Sequence, residues 1–230
     1  MNTSPAEISK AKKTGLLSLV DLTRNLDIIF WNLLAFYVIL ISTFQSVEVS
    51  AFPFLSCLPL FCVAYVTFKI SASAFKDEKY AAVLRKMRVY SLVAAFNYPF
   101  FIFIQSYDSL YFLICTFIAM AAFYLFLTEE VALCAILSEK FDDHILAREC
   151  RKTGMLIYVS AVLFTAYLIM TVQVPLLYEL ILSMGEWGRV IEILLFVIIM
   201  FPLMLPLTLL FRLRLLLVQN YREKMSVRND

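Results

Sequence analysis

The stretch that decides the fold is residues 109–137, SLYFLICTFIAMAAFYLFLTEEVALCAIL, an apolar run interrupted only by the adjacent carboxylates Glu129 and Glu130. A membrane-spanning helix needs about 20 apolar residues, because each residue adds about 1.5 Å and the hydrocarbon core is about 30 Å thick. The run holds 29 residues, so it is too long for one crossing. The polar segment 105–108 fixes its outer end, and about 20 residues counted from Ser109 place both glutamates at the inner boundary.

The rest of the chain repeats this pattern. It is 62% hydrophobic and 17% charged, with a mean hydropathy of +0.84, whereas a soluble domain is about 45–50% apolar and about 25% charged. Apolar blocks that alternate with charged patches predict an all-α, polytopic membrane protein. The net charge of +2 gives no reason to expect nucleic acid as a partner. The predicted spans are about 28–45, 52–70, 89–105, 109–129, 154–177 and 189–211.

The basic residues predict the orientation. Nineteen of the twenty Lys and Arg residues lie before span 1, between spans 2 and 3, between spans 4 and 5, or after span 6. Only Arg189 lies on the other side. Because basic residues accumulate in cytoplasmic segments, both termini are expected in the cytoplasm, with the protein in a bacterial inner membrane. The outer connections, about 46–51, 106–108 and 178–188, are short. The six spans therefore form three hairpins.

The predicted division of the chain is a cytoplasmic N-terminal segment 1–27, a transmembrane domain 28–218 and a cytoplasmic tail 219–230. Residues 15–26 suit an amphipathic helix in the membrane interface. Apolar turns at 80–84, 131–137 and 213–218 continue beyond the spans and must be covered by something. Either helical extensions of spans 2 to 6 pack together on the cytoplasmic side, or a partner covers them.

Polar residues recur where the hairpins close, with Gln45, Gln105 and Gln173 at matching points. Internal duplication is one interpretation. The other is that polar residues recur at every membrane boundary because lipid headgroups favour them. The sequence leaves both open.

The chain offers little for catalysis. His144 is the only histidine, so haem or metal sites that need two histidines are excluded within this chain. Asp143 is expected to cap the helix that begins near Ile145. The five cysteines form no CxxC pair, and no nucleophile or nucleotide-binding motif is present. The sequence therefore predicts no catalytic residue, no cofactor and no metal site.

Two groups of polar residues remain as candidates. Asn32 and Asn97 lie within spans, where an amide is expected to bond a neighbouring helix or to contact a substrate. Glu129 and Glu130 face the most basic layer of the protein, so the sequence predicts ion pairs between them and the arginines of that layer. The arginines are Arg88, Arg212 and Arg214. Proton or cation coupling by the glutamates is the alternative.

These features favour a non-catalytic membrane subunit that anchors, assembles or regulates a complex through its cytoplasmic face. Its expected partners are the lipid bilayer and either a cytoplasmic protein or a second copy of the chain. A small-solute transporter or permease component is the alternative, because prolines within the spans can break helices as transporters do. A lipid-modifying enzyme ranks third, because no cluster of acids, bases or metal ligands is present.

Overall fold

The computed structural model describes residues 5–45, 57–72, 75, 77–104, 110–173 and 183–226. Within these ranges the regular secondary structure is helical, which confirms the all-α class. The helices are α1 (Pro5–Gln45), α2 (Cys57–Lys69), α3 (Glu78–Ile104), α4 (Leu110–Lys140), α5 (His144–Gln173) and α6 (Glu186–Ser226). The predicted outer connections 46–51 and 106–108 lie outside the described residues, as do residues 178–182 of the third.

Three described segments are long and apolar enough to cross a membrane. They are Leu19–Leu40 in α1, Leu110–Lys140 in α4 and Phe201–Glu223 in α6. Cys57–Lys69 is apolar but holds only 13 residues. These segments support an integral membrane protein, and they overlap the first, fourth and sixth predicted spans. The prolines Pro99, Pro202 and Pro206 lie inside continuous helices, α3 and α6.

The helices pack in a closed ring. Each helix contacts the next along the chain, α1 also contacts α6, and α4 makes an additional contact with α6. At the centre, the ring of Phe36 lies 5.1 Å from that of Tyr98 and 5.2 Å from that of Phe123. Aromatic side chains of α1, α3 and α4 therefore fill the middle of the bundle, and Phe36 and Tyr98 meet in the edge-to-face arrangement that such rings favour.

The apolar turns beyond the spans cover one another. Their buried side chains belong to the same core as the membrane segments, and we call this end of the bundle the inner neck. Its buried residues are Leu19, Leu22, Leu26, Tyr80, Leu84, Met87, Leu133, Cys134, Leu137, Leu146, Cys150, Leu213 and Leu217. The prediction that these turns pack together is confirmed for α3, α4, α5 and α6. It is wrong for α2, which ends at Lys69.

The N-terminal segment differs from the prediction. Residues 15–26 are part of the continuous helix α1 and do not form a separate interfacial helix. Leu19, Leu22 and Leu26 are buried, and the same stripe continues through Ile29 and Leu33. This spacing of three and four residues keeps one apolar face in phase with the bundle. The helix therefore has no reason to bend away into the membrane interface.

Candidate functional site

Five ion pairs encircle the bundle at its inner end, and we call them the ion-pair belt. They join α1 to α6, α6 to α5, α5 to α4, and α4 to α3 and to the residue preceding α3. In this order the pairs are Asp27–Arg214 (2.9 Å), Glu149–Arg212, Glu139–Arg151 (3.3 Å), Glu129–Lys86 (3.1 Å) and Asp77–Lys140 (3.4 Å). The belt thus connects neighbours around most of the ring.

Arg88 continues the belt from α3 to α2. Its Nη2 donates to the carbonyl oxygen of Ile70 at 2.7 Å, and its Nε donates to that of Thr67 at 3.3 Å. The last carbonyls of a helix have no partner within the helix and carry partial negative charge. Arg88 therefore caps the C-terminal end of α2, and it does not pair with a glutamate.

The predicted ion pairs between the glutamates, Glu129 and Glu130, and the arginines do not form, because the arginines have other partners in the structure. Arg212 pairs with Glu149 on α5, and Arg214 pairs with Asp27 on α1. Residues i and i+2 of a helix point in directions about 200° apart around its axis. Arg212 and Arg214 consequently point to opposite neighbours of α6, and neither is left for α4. This division between the two arginines requires knowing that α6 lies between α5 and α1.

Glu129 takes Lys86 as its partner. The Lys86 ammonium donates to Glu129 Oε1 at 3.1 Å, and the hydrogen bond and the attraction of the carboxylate raise the pKa of Lys86. The Lys86 side chain is 57% exposed, whereas that of Glu129 is 15% exposed. The pair is thus open to water on one side, and it holds α3 against α4.

Glu130 has a different environment from its neighbour. It is only 1% exposed, and none of the described residues donates a hydrogen bond to either carboxylate oxygen. Adjacent helical positions differ by about 100°, so Glu130 faces the interior of the bundle while Glu129 faces α3. A buried carboxylate without partners is costly, because burial removes the hydration of its charge.

The hydroxyl group of Tyr37 lies in the same part of the interior. Tyr37 is 1% exposed, and its hydroxyl oxygen has no hydrogen-bond partner among the described residues. The Glu130 carboxyl group is close enough to act electrostatically on Tyr37 and on Cys134, one turn further along α4. These three groups are what the interior offers for chemistry at this level. A carboxyl and a phenol can hold or transfer a proton.

Among the described residues, the two asparagines bond only their own helices. Asn32 Nδ2 donates to the carbonyl oxygen of Ile28 at 2.8 Å, and Asn97 Nδ2 donates to that of Val93 at 2.9 Å. Each acceptor is a backbone carbonyl one turn earlier in the same helix, a group that a polar side chain can reach from four residues further along. The expectation of a bond between helices is therefore wrong for these contacts.

A small cavity lies in the centre of the bundle and receives side chains from all of α1 to α6. Its volume is about 20 Å³, about the space that one water molecule needs. Its walls are mostly apolar. They are Phe36, Leu40, Leu60, Ala94, Tyr98, Ala119, Met120, Phe123, Tyr124, Phe164 and Leu203. Neither Asn32 nor Asn97 reaches it, so it is no polar pathway.

Asp77 is a structural residue that sequence reasoning missed. Its Oδ1 accepts hydrogen bonds from the backbone N–H groups of Lys79 (2.9 Å) and Tyr80 (3.5 Å), which caps α3. Desolvation raises its pKa, but these bonds and Lys140 outweigh that effect, so the pKa lies below its ordinary value. The signal in the sequence was an Asp immediately before a predicted helix, a favoured N-cap.

The Asp143 cap is confirmed, because the Leu146 N–H donates to its Oδ1 at 2.9 Å and α5 begins at His144. All five cysteines are free, and only Cys62 is exposed. Within the part of the chain that the structure describes, no three His, Cys, Asp or Glu side chains form a group that could hold a metal ion. The inner end therefore offers ion pairs, helix caps and one buried carboxyl group.

Comparison with known proteins does not identify the chain. No protein-family model, no curated protein and no solved structure matches it. Its function must be inferred from the geometry of the inner end.

Proposed function

We propose that the chain is a non-catalytic subunit of a membrane complex, which anchors, assembles or regulates partner proteins through its cytoplasmic face. One observation carries this proposal: α1 and α6 contact each other, and both continue well past the Asp27–Arg214 ion pair that joins them. From Asp27, α1 extends back to Pro5, and from Arg214, α6 extends to Ser226. The two helices therefore leave the bundle at the same edge.

The lengths of α1 and α6 make this extension unavoidable. Each helix has 41 residues, which corresponds to about 60 Å at about 1.5 Å per residue, or twice the thickness of a hydrocarbon core. Leu217 is the last buried residue of α6 among the side chains that the structure describes, which end at Glu223. In the turns that follow it, Gln219, Arg222 and Glu223 are exposed. A helix that continues beyond its own core presents a surface to another protein.

The interior of the bundle supports a scaffold more than a conduit. The central cavity holds about one water molecule and has apolar walls. The ion-pair belt ties the helix ends to one another, which fixes the edge from which α1 and α6 project. A rigid bundle with two projecting helices is suited to holding a partner in position.

The proposal includes six crossings as three hairpins, both termini in the cytoplasm, and a bacterial inner membrane as the location. The belt supports this topology. Its bases are Lys86, Lys140, Arg151, Arg212 and Arg214. They come from three segments that the basic residues of the sequence predict to be cytoplasmic, and their pairing requires these segments to lie at the same end of the bundle.

Thiol labelling tests the topology in intact cells. Cys62, the exposed native cysteine, is first replaced by alanine, because the other four are buried. Single cysteines at Ser46, Ser106 and Gly185 should then react with a membrane-impermeant maleimide, whereas cysteines at Lys76, Asp142 and Arg222 should react only after lysis. Labelling of any of the last three positions in intact cells would contradict the topology.

Truncation of the projecting helix tests the function. A chain that ends after Gln219 keeps the whole inner neck, so it should fold with an unchanged melting temperature. The full chain, extracted in mild detergent, should migrate as a complex of fixed stoichiometry, either with a second protein or with itself. The truncated chain should lose that complex, and Trp187→Ala, at an exposed position at the other end of α6, should retain it. A full chain that is monomeric by native mass spectrometry would contradict the proposal.

A small-solute transporter or permease component is the second candidate, and the buried carboxyl of Glu130 favours it. Ionisable groups inside a membrane protein often mark an ion pathway. Uptake of a solute by proteoliposomes that contain only this chain, driven by a proton gradient, would support transport. Without such uptake, and with a stoichiometric partner, the scaffold function stands.

A further inference from the structure

We propose that Glu130 and Tyr37 form a proton-binding site inside the bundle, between α4 and α1, which holds one proton at neutral pH. This inference goes beyond the proposed function and does not depend on whether a partner is found. It rests on the burial of both side chains, on their polar oxygens, which have no hydrogen-bond partner among the described residues, and on how the charged groups of the surrounding helices are engaged.

The burial of Glu130 opposes a negative charge. The residue is 1% exposed, and none of the described side chains or backbone groups donates to its carboxylate oxygens. An ionised carboxylate in such a place loses its hydration and gains nothing in return, so the group takes up a proton instead. A protonated carboxyl is neutral, so the free energy needed to bury it is that of an uncharged polar group, which is much smaller than that of a charge.

The described basic side chains of the helices that pack against α4 are either paired elsewhere or exposed. On α5, Arg151 pairs with Glu139, and Arg148 and Lys152 are exposed. From α3, Lys86 pairs with Glu129 and Arg88 binds the end of α2. From α6, Arg212 pairs with Glu149 of α5, and Arg214 pairs with Asp27 of α1. The contacts of α2 are with α1 and α3, not with α4. No base of the belt is therefore left to neutralise Glu130.

The other titratable groups near Glu130 are weak acids. Tyr37 on α1 and Cys134 on α4 interact with it electrostatically, and Cys150 of α5 interacts with Cys134. Burial raises the pKa of Cys150 to about 12, so its thiol stays neutral near pH 7. These groups cannot supply a positive charge, and the proton on Glu130 is the remaining way to remove the negative one.

Tyr37 completes the site. A protonated carboxyl has one O–H donor and a carbonyl acceptor, and a phenol can donate and accept in turn. The hydroxyl oxygen of Tyr37 and both carboxylate oxygens of Glu130 have no hydrogen-bond partner among the described residues. The two side chains are therefore not bonded to each other in this structure, and a proton on Glu130 would supply a donor for such a bond. Loss of the proton would leave a charge between α1 and α4 and weaken their packing at this level.

A hydrophobic carbodiimide tests the site, because it reacts with protonated carboxyl groups in apolar surroundings and leaves an adduct that peptide mass spectrometry can locate. The probe is dicyclohexylcarbodiimide, applied to the full chain in lipid nanodiscs at pH 7. Glu130 should be labelled at least about tenfold more than Glu129, because Glu129 accepts a hydrogen bond from the Lys86 ammonium, which favours the ionised carboxylate. Labelling of Glu130 should fall as the pH is raised. This comparison between neighbours needs no variant.

Three variants test which residues form the site. Glu130→Gln replaces a neutral acid with a neutral amide, so it should abolish the adduct and keep the melting temperature. Glu129→Gln is the matched control on the same helix and should retain the adduct. Tyr37→Phe removes a donor that stabilises the ionised form, so labelling should persist to higher pH. An unchanged pH midpoint would exclude Tyr37 from the site.

Infrared spectroscopy provides an independent measurement on the native chain. The carbonyl stretch of a protonated carboxyl should be present at pH 7 in the native protein and in Glu129→Gln, and absent in Glu130→Gln. A folded native protein that lacks this band and is not labelled at Glu130 would overturn the proposal, because Glu130 would then be ionised and balanced by another group.

Discussion

Removing the ion pair that closes the ring between α1 and α6 should destabilise the bundle by a measurable amount. Asp27 Oδ1 lies 2.9 Å from Arg214 Nε, and the two side chains are 28% and 34% exposed. The variants are Asp27→Asn, Arg214→Gln and the double substitution. Each removes one charge and keeps a side chain of similar size, so that packing changes little.

The expected magnitude follows from the partial burial of the pair. Exposed ion pairs contribute about 0.2–1 kcal/mol, whereas breaking a fully buried pair costs about 3–5 kcal/mol. With both side chains about one-third exposed, each single substitution of Asp27 or Arg214 should cost about 1.5–2 kcal/mol, between those limits. The coupling energy in the double-mutant cycle should be about 1 kcal/mol.

The measurement is the free energy of unfolding, from titration with SDS in mixed micelles, of the native chain and the three variants. The control cycle uses Glu139→Gln and Arg151→Gln, whose side chains are 49% and 67% exposed, so its coupling should be below about 0.3 kcal/mol. If Asp27 and Arg214 prove additive within about 0.3 kcal/mol, or if the control pair couples as strongly, the reasoning from burial is refuted.

Three further predictions concern the inner end. Arg88→Ala should leave the last carbonyls of α2 without a donor, cost about 1–2 kcal/mol, and speed hydrogen exchange at that end, whereas an unchanged exchange rate would exclude the cap. Leu137→Ala, at a position with 0% exposure, should cost about 3–5 kcal/mol and lower the melting temperature by about 10 °C; the same change at Ile145, 62% exposed, should cost less than about 0.5 kcal/mol. Burial raises the Cys150 pKa from 9.0 to about 12. Above pH 9 the thiol therefore ionises in the unfolded chain before it does in the folded one, and the free energy of unfolding should fall until the pH reaches about 12. In SDS titrations, Cys150→Ala should show a smaller fall in the free energy of unfolding over this pH range than the native chain.

The sequence predicted that helices extend beyond the spans at the inner end, but it did not predict which charged side chains of these helices pair with one another. The apolar turn 131–137 had to be covered, and Leu133 and Leu137 are indeed fully buried. The acidic cap at Asp143 was readable because a carboxylate before a helix meets free N–H groups. The partner of Arg212 was not readable, because the direction of a side chain around α6 has meaning only once the neighbours of α6 are known.

The sequence by itself determined that the chain is helical and holds segments long and apolar enough to cross a membrane, because runs such as 109–137 exceed the length of a bilayer crossing and few charges interrupt them. It also determined that the basic residues gather in a few segments between apolar runs. Only the tertiary structure decided that Glu129 faces Lys86 while Glu130 faces the interior. The physical reason is that α4 is apolar on all sides, so its sequence does not mark which face is buried. Contacts with α3, α5 and α6 set its rotation, and that rotation separates two adjacent glutamates into an ion pair and a buried acid.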